Sequence, residues 1–385
     1  MKKRQIPFLA MGGLYQEDDL DAVIKVIKEA VDCRGSFFPL PEENDFQQLF
    51  ARHQGAKKTI AVNSCGTALD CCMMALGIGN GDEVITTPFS FVCTAGTAVA
   101  RGAKVVFADI HPETLNLDPE KVKEKITERT KAIIPVHFAG LSCDIDAFDE
   151  ISKKTGIPII YDAAHAVGAK YKNLPVGGRG KASCYSFQGN KNMTCLGEGG
   201  AVTTDDEQFA EKVRQLKTFG YVYGEKLRIV RIGFNYRMTK VQLAAGITQI
   251  KKIDIVNGLK RERMQKLNEL LKNVEEIILP PGIDENHACH LYVIRVNTDV
   301  LQINADSFAA YLKGNYGVQT AKHYPPIWEW EAFSTLGYDG SDCPVAAKVA
   351  SQVLSLPVFP GTAYEDLEYI AWSIKQTIHE LKNRR

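Results

Sequence analysis

The chain has 385 residues, of which 45% are hydrophobic and 24% charged; this is ordinary for a folded globular protein and excludes a disordered or fibrous one. Lys and Arg number 46, as do Asp and Glu, so gross charge gives no reason to expect a nucleic-acid or anionic-membrane partner. No stretch approaches the roughly 18 apolar residues of a membrane span, and the ten cysteines form no CxxC pair, which favours free thiols in a reducing compartment. Because Pro7 and three acids interrupt the signal-like start, we expect a cytoplasmic protein.

Short apolar runs alternate with segments of helix length along much of the chain. Residues 19–32 place apolar residues at helical spacing and predict a first helix. From residue 57 onward, runs rich in Val and Ile predict strands at 58–62, 83–86, 103–110, 130–138, 157–162 and 182–187. This alternation is typical of βαβ units and predicts an α/β fold with a mostly parallel sheet.

The pattern changes after residue 240. Residues 241–274 predict one long helix, or two in series broken near Asn257-Gly258. A strand and two helices are expected to follow, at 290–296, 305–317 and 365–385. We place a domain boundary near residue 250, which divides the chain into a large domain of residues 1–250 and a smaller one of residues 251–385.

The residues that follow the strands are the candidates for a binding site, since ligands of open α/β sheets bind at the carboxyl ends of the strands. After the first strand, the turn of residues 64–67 (Ser-Cys-Gly-Thr) leads into a helix. The N-terminus of that helix either binds a phosphate or is simply capped by a hydroxyl side chain. Phe89 and Phe91 follow the strand at 83–86 and belong either to the core or to a surface that stacks on a planar cofactor.

Three further polar residues follow later strands. Asp162 ends a strand and has two possible roles. It either pairs with a protonated ring nitrogen of a bound ligand, in which case His165 could reach another edge of the same ring, or it caps the next helix. Lys191 lies in "SFQGNKNMTCLGEGG", after Ser186 and before a crowded set of glycines. It is either a surface lysine in a loop or an amine that forms a Schiff base with a carbonyl.

Taken in this order, the four motifs resemble the DegT/DnrJ/EryC1/StrS family of pyridoxal-phosphate-dependent sugar aminotransferases. The segments "ALGIGNGDEVITTPFSFVCTA" and "GFNYRMTKVQLAAG" also resemble the family, and the resemblance covers nearly the whole chain. It implies an α/β fold of the PLP-transferase fold type I, with a mostly parallel seven-stranded sheet between helices in the large domain and a smaller C-terminal α/β domain. It also implies pyridoxal 5′-phosphate as the cofactor.

The resemblance implies a role for each residue of the cofactor site. Lys191 would hold the coenzyme as an internal aldimine and, once free, would carry a proton between the substrate carbon and C4′ of the cofactor. Asp162 would pair with the pyridinium nitrogen, and His165 would hydrogen-bond near the ring hydroxyl. The remaining contacts would come from Phe91, stacked on the ring, and from the phosphate ligands: the backbone of Gly66 and Thr67 and the Ser186 hydroxyl.

The same resemblance implies a homodimer with shared active sites. Asn235 would reach the phosphate from the partner subunit, while Arg237 would either bind a carboxylate or be structural. His323 and Tyr324 are further candidates for contact with the substrate.

Two positions depart from the family pattern, and one cluster suggests a metal at first sight. Trp328 and Gln188 replace residues common in the family, and both are expected near the acceptor. Two histidines and a cysteine occur in "HACH" at 287–290, but their spacing suits no standard zinc site, so we expect no metal.

The implied reaction is a ping-pong transfer of an amino group from an amino acid, glutamate, to a keto-sugar that carries a nucleotide. Lys191 favours transamination, since the sugar dehydratases of the family carry histidine at this position. The alternatives are such a dehydratase, an aminotransferase of a keto-sugar or cyclitol without a nucleotide, and a cofactor-binding protein that acts in regulation without turnover. A dinucleotide-dependent dehydrogenase is disfavoured because the turn after the first strand lacks the GxGxxG spacing.

Overall fold

A seven-stranded sheet lies at the centre of the chain before residue 250. The computed structural model describes residues 2–9, 12–31, 37, 40–222, 224 and 226–383. Its strands up to residue 204 are, in chain order, β1 (Lys58–Val62), β2 (Glu83–Thr86), β3 (Lys104–Phe107), β4 (Thr130–Ile134), β5 (Ile160–Asp162), β6 (Lys170–Tyr171), β7 (Leu174–Pro175), β8 (Ala182–Ser186) and β9 (Gly200–Thr204). Of these, β6 and β7 form a separate two-stranded hairpin.

The sheet has the strand order β3-β2-β4-β5-β8-β9-β1. A three-stranded part and a four-stranded part are joined where β4 meets β5, through parallel bridges from Ile133 to Ile159 and from Val136 to Asp162. Neighbouring strands are parallel except where β9 pairs with β8 and with β1. The predicted mostly parallel seven-stranded sheet is therefore confirmed.

Helices cover both faces of this sheet. They are α1 (Glu17–Val31), α2 (Glu42–Gln54), α3 (Cys65–Leu76), α4 (Cys93–Ala100), α5 (Pro119–Lys125), α6 (Ile145–Thr155), α7 (Glu207–Leu216) and α8 (Lys240–Ile250). Successive residues of a strand point to opposite faces of the sheet and belong to two different apolar clusters. Ile60 and Val62 pack with α3 and α7, whereas Ala61 packs with α2 and α8. Because both faces are buried, the strands read as continuous apolar runs rather than as alternating ones.

The chain after residue 220 begins with a short exposed hairpin, β10 (Tyr221–Val222) and β11 (Arg228–Ile229). The elements after α8 are α9 (Ile253–Leu271), β12 (Ile277–Ile278), β13 (Tyr292–Val296), α10 (Thr298–Leu301), α11 (Ala305–Tyr316), α12 (Glu331–Ser334), α13 (Pro344–Ala350), β14 (Val353–Leu356) and α14 (Tyr364–Asn383). The strands β12, β13 and β14 form an antiparallel sheet that packs with α9, α11 and α14 into a third apolar cluster. This separate cluster supports the division near residue 250, which stays a prediction.

The long helical stretch contains two helices, but the predicted position of the break is wrong. The break falls at residues 251–252, and Asn257 and Gly258 lie inside α9. The Asn257 side chain is buried, donates to the Val167 carbonyl at 3.0 Å and accepts from the Asn192 amide at 2.8 Å, so its polar groups are satisfied within the helix. A Cβ at Gly258 would contact nothing within 4 Å, so this glycine marks an open helix surface and not a turn.

Neither a membrane span nor a disulfide occurs in the part of the chain that the structure describes. No helix there is both long and apolar enough to cross a membrane. The cysteines in the same part are free thiols, and all but Cys93 are buried, as is usual for small hydrophobic side chains. Cys33 lies outside the described residues.

Candidate active site

A cavity of about 540 Å³ lies at the carboxyl ends of β5 and β8. Most of the residues that the sequence singled out line it: Gly66, Phe91, Asp162, His165, Ser186, Lys191, His323 and Tyr324. Thr67, Asn235 and Arg237 do not. The cavity therefore brings together residues from five separate segments of the chain, at the edge of the sheet where ligands of α/β folds bind.

Lys191 is the cationic side chain at the wall of this cavity. It lies in the loop between β8 and β9, where its backbone N–H donates to the Gln188 carbonyl at 2.8 Å. Burial lowers the pKa of the Lys191 ammonium below its ordinary value, and the negative charge of Asp162 opposes that shift. A lowered pKa increases the fraction of neutral amine, which is the nucleophilic form.

Two glycines allow neighbouring backbone to approach this loop closely. A Cβ at Gly12 would lie 2.1 Å from the Asn190 carbonyl oxygen and 2.6 Å from that of Lys191. A Cβ at Gly200 would lie 2.5 Å from the Ser64 carbonyl oxygen. Because real Cβ atoms do not come so close to backbone, both positions require glycine. Gly12 lets the N-terminal segment contact the loop, and Gly200 lets β9, which follows the loop, contact the turn before α3.

Asp162 is a buried carboxylate bonded to neutral donors. One oxygen accepts from Thr94 Oγ1 at 2.7 Å, and the other accepts from the Ala164 N–H at 3.1 Å and from the Cys65 thiol at 3.8 Å. Burial raises the pKa of Asp162, while these donors and the Lys191 charge lower it. The Asp162 side chain belongs to a residue that is only 3% exposed, and no ion pair among the described residues compensates its charge. Such a carboxylate is well placed to bind a cationic ring N–H.

His165 is neutral and is held by two hydrogen bonds. Its Nδ1 accepts from the Ala139 N–H at 3.3 Å, so the ring proton lies on Nε2, which is 3.0 Å from the Tyr324 hydroxyl oxygen. Burial and the nearby Lys191 charge hold the pKa of His165 well below its usual range. Since Tyr324 accepts from the imidazole, its own proton is free to point into the cavity that both residues line.

The first turn of α3 forms another part of the cavity wall. Ser64 caps the helix by accepting from the Thr67 N–H at 3.1 Å, so one of the two N–H groups expected at a phosphate is already bonded. The Gly66 N–H belongs to the first helical turn, whose donors have no partner within the helix, and Ser186 lines the same cavity. The helix is thus capped by a hydroxyl, and it also offers an N-terminus to an anion.

Two of the predicted residues that lie outside the cavity, Asn235 and Arg237, belong to one exposed segment, whereas Thr67 lies in α3. Asn235 accepts at Oδ1 from Arg237 Nε at 2.9 Å, and the Arg237 guanidinium lies 5.9 Å from the Phe219 ring centroid. Tyr236 anchors this segment by donating its hydroxyl to Asp70 at 3.0 Å. The expectation for Trp328 is wrong, since it packs in the core against Phe107 and does not line the cavity.

Sequence reasoning missed several cavity residues. Ser64 and Cys65 belong to the turn named as a possible phosphate site and line the wall, as does Gln188, which was expected near the acceptor. Those that line the wall without having been predicted there are Ser90, Cys93, Val136, Ala164, Asn190 and Glu198. Thr94 lies one layer behind, bonded both to Asp162 and to Ser90 Oγ at 2.9 Å. No local pattern signals this pair, because Ser90 lies in the bend before α4, which begins at Cys93, and only the fold brings the two hydroxyls together.

Comparisons with known proteins agree with this geometry. The model of the DegT/DnrJ/EryC1/StrS aminotransferase family matches residues 16–375. The Bacillus subtilis spore coat polysaccharide biosynthesis protein SpsC is 35% identical over 350 residues, which cover 88% of this chain and 90% of SpsC. Helicobacter pylori PseC, an aminotransferase involved in the biosynthesis of pseudoaminic acid, superposes with a TM-score of 0.89 at 25% identity, over 98% of this chain and 100% of PseC. B. subtilis NtdA, solved with bound cofactor PMP, gives 0.88 at 27% identity, over 97% of this chain and 85% of NtdA.

Proposed function

Since the chain belongs to the DegT/DnrJ/EryC1/StrS aminotransferase family, whose members use pyridoxal phosphate, we propose that it transfers an amino group from L-glutamate to a nucleotide-linked keto-sugar. The observation that carries this proposal is that one cavity holds both the amine of Lys191, which is partly exposed to it, and the buried carboxylate of Asp162. The roles of SpsC in spore coat polysaccharide biosynthesis and of PseC in pseudoaminic acid biosynthesis support a sugar acceptor.

The cavity suits pyridoxal phosphate. When bound, the cofactor supplies an aldehyde that bonds covalently to an amine and a protonated ring that accepts electrons from the reacting carbon. Asp162 would hold the proton on the ring nitrogen, since its own direct partners are neutral donors. The other contacts would be made by Phe91 at the ring face and by Gly66 and Ser186 at the phosphate. Thr67 at the phosphate and His165 at the ring hydroxyl are retained as weaker candidates, because the Thr67 N–H and both ring nitrogens of His165 are already bonded.

Lys191 and Tyr324 would act on the substrate. The lowered pKa of Lys191 favours a neutral amine, which removes a proton from the donor's α-carbon and later delivers one to the acceptor carbon. Tyr324 would donate its hydroxyl proton to a substrate oxygen, because its own oxygen accepts from His165. His323 lies in the same wall, and burial lowers its pKa to about 4, so it would contact the substrate as a neutral imidazole.

We further propose a homodimer in which Asn235 reaches the phosphate of the partner subunit. The support is the position of Asn235, exposed and outside the cavity of its own chain, within a segment rich in exposed apolar side chains. Ile229 is 65% exposed and Ile232 84%, which is costly unless another surface covers them. Arg237, in the same segment, is kept as a carboxylate ligand or a structural residue.

The alternative activities keep the cofactor and change the acceptor or the outcome. An acceptor without a nucleotide, a keto-sugar or a cyclitol, would use the same donor half-reaction. A sugar dehydratase would not consume glutamate, and the amine at Lys191 argues against that outcome because the family's dehydratases carry histidine there.

The donor half-reaction is the direct test. Purified protein loaded with pyridoxal phosphate is mixed with L-glutamate and no acceptor, and 2-oxoglutarate and the cofactor's visible absorbance are followed. We expect one 2-oxoglutarate per site and loss of the visible band in the wild type, with neither in Lys191→Ala. Nucleotide-linked and free keto-sugars are then offered to the product form, and recovery of the visible band identifies the acceptor. A wild type that keeps its band with glutamate would contradict the proposal.

A further inference from the structure

Lys260 is a buried cation that the proposed reaction does not use. It lies on α9, is 2% exposed, and has no carboxylate partner among the described residues. Its ammonium donates instead to two neutral oxygens, Oδ1 of Asn192 and the carbonyl of His290, each at 2.7 Å. Because an ammonium is expensive to bury, a lysine with two short bonds to two different segments calls for a reason beyond packing.

The first of these bonds reaches the residue directly after Lys191. The Asn192 amide nitrogen also donates to Asn257 Oδ1 at 2.8 Å and to the Ala288 carbonyl at 2.7 Å. Its side chain is therefore held at both ends, to α9 and to the segment before β13. The backbone that carries Lys191 is thus tied to α9 through Asn192 and Lys260.

The second bond leads to the imidazole that lines the cavity. Lys260 fixes the His290 carbonyl, and the His290 ring lies 4.3 Å from that of His165, measured between centroids. His165 in turn holds the Tyr324 hydroxyl. One ammonium therefore connects the loop of Lys191 with a second part of the wall of the same cavity.

We propose that Lys260 is a positioning residue that holds Lys191 and His165 at a fixed separation, through Asn192 on one side and His290 on the other. This inference rests on the proposed function in one respect, namely that Lys191 bonds covalently to pyridoxal phosphate. Bond formation requires the amine to meet the aldehyde carbon at the right distance and angle, so a loop that shifts slows attachment more than it weakens cofactor binding.

The link holds over a range of pH. Burial lowers the pKa of Lys260 to about 7. Both bonds are donated by N–H groups to neutral oxygens, and a neutral amine still has two such groups to donate.

The test separates covalent attachment from binding. Attachment is measured as the rate at which pyridoxal phosphate becomes fixed to Lys191, by visible absorbance and by borohydride trapping. Binding is measured as the dissociation constant of pyridoxine 5′-phosphate, which has no aldehyde and cannot form the bond. For Lys260→Met we expect attachment to slow by about ten- to a hundredfold while pyridoxine phosphate binds within about twofold of wild type.

Two further variants decide what the change means. Asn192→Ala removes the hydrogen-bond acceptor of Lys260 on the Lys191 side. The double variant with Lys260→Met should attach the cofactor no more slowly than the slower of the two single variants, since both substitutions break the same link. Arg263→Met is the matched control, because Arg263 also lies on α9 and donates to two backbone carbonyls, of Thr362 at 2.8 Å and of Leu259 at 2.9 Å. Neither Thr362 nor Leu259 lines the cavity. It should lower the melting temperature and leave the attachment rate unchanged.

The outcomes keep this inference apart from the proposed function. An attachment rate in Lys260→Met equal to that of wild type would overturn the positioning role, as would equal losses in attachment and in pyridoxine phosphate binding. If Lys260→Met does not fold, Asn192→Ala alone decides by the same two measurements. If wild-type Lys191 does not take up the cofactor at all, the proposed function fails, whatever Lys260 does.

Discussion

Replacing Thr94 by Val tests how the buried carboxylate of the site is supported. Thr94 is fully buried and gives Asp162 its shortest hydrogen bond, 2.7 Å from Oγ1 to Oδ2, while sharing a 2.9 Å bond with Ser90. Valine has nearly the same shape, so the variant removes the hydroxyl without opening a cavity. We therefore expect the change in stability to come from hydrogen bonding alone.

The magnitude follows from the two bonds that are lost. A hydrogen bond to a charged group contributes about 1.5–3 kcal/mol and a neutral one about 0.5–1.5 kcal/mol, so Thr94→Val should destabilise the cofactor-free protein by about 2–4 kcal/mol near pH 8. Burial already raises the pKa of Asp162 above its ordinary 3.8, and loss of the Thr94 bond raises it further. Because a raised carboxyl pKa costs stability only as pH rises through it, the difference between variant and wild type should shrink as pH falls from about 8 to about 5.

The assay is urea unfolding of the cofactor-free protein at both pH values, with Thr97→Val as the control. Thr97 lies on the same helix, and its buried hydroxyl has no partner among the described residues, so its replacement should leave stability within about 0.5 kcal/mol or improve it. Thr94 does not support the Asp162 carboxylate if Thr94→Val lowers the free energy of unfolding no more than Thr97→Val does, or if that loss does not change with pH.

Three other changes have defined outcomes. Gly12→Ala should lower the melting temperature and slow the uptake of pyridoxal phosphate, since its Cβ would lie 2.1 Å from a loop carbonyl oxygen; unchanged uptake would show that the N-terminal segment does not hold the loop. Asp162→Asn should stabilise the cofactor-free protein relative to wild type, increasingly so as pH rises through the raised pKa of Asp162, while weakening retention of the cofactor; urea unfolding and cofactor titration measure both. Ile232→Asp should convert the proposed dimer to a monomer in analytical ultracentrifugation without lowering the stability of the subunit, because the side chain is 84% exposed in one chain; a variant that stays dimeric would place the interface elsewhere.

The sequence predicted most of the sheet because its strands are buried on both faces. Residues 58–62 and 83–86 were predicted as strands and are strands, since continuous runs of Val and Ile have no other low-energy placement between two helical layers. The carboxyl ends of β5 and β8 place Asp162 and Ser186 at one edge of that sheet, and Lys191 follows β8, which explains why the local motifs converge on one cavity.

What the sequence did not reveal depends on contacts between distant segments. The break between α8 and α9 was misplaced because the hydrogen bonds of the buried Asn257 side chain are made with Val167 and Asn192, which are distant in the sequence. Trp328 reads as an active-site residue by its position in a motif, yet it fills a core space beside Phe107, where a Cβ at Gly340 would lie 2.7 Å from its ring. Lys260 looks like a surface residue of an amphipathic helix, and only the fold places Asn192 and His290 beside it.

The covalent partner of the cofactor is the central claim, and peptide mass spectrometry tests it most directly. The protein is incubated with pyridoxal phosphate, reduced with borohydride and digested, and the lysine that carries the phosphopyridoxyl group is identified. We expect the group on Lys191 at about one per chain, and none at Lys260, a buried lysine that bonds to the neighbouring Asn192. A label on a different lysine, or an equal label in Lys191→Ala, would contradict the assignment of this cavity as the active site.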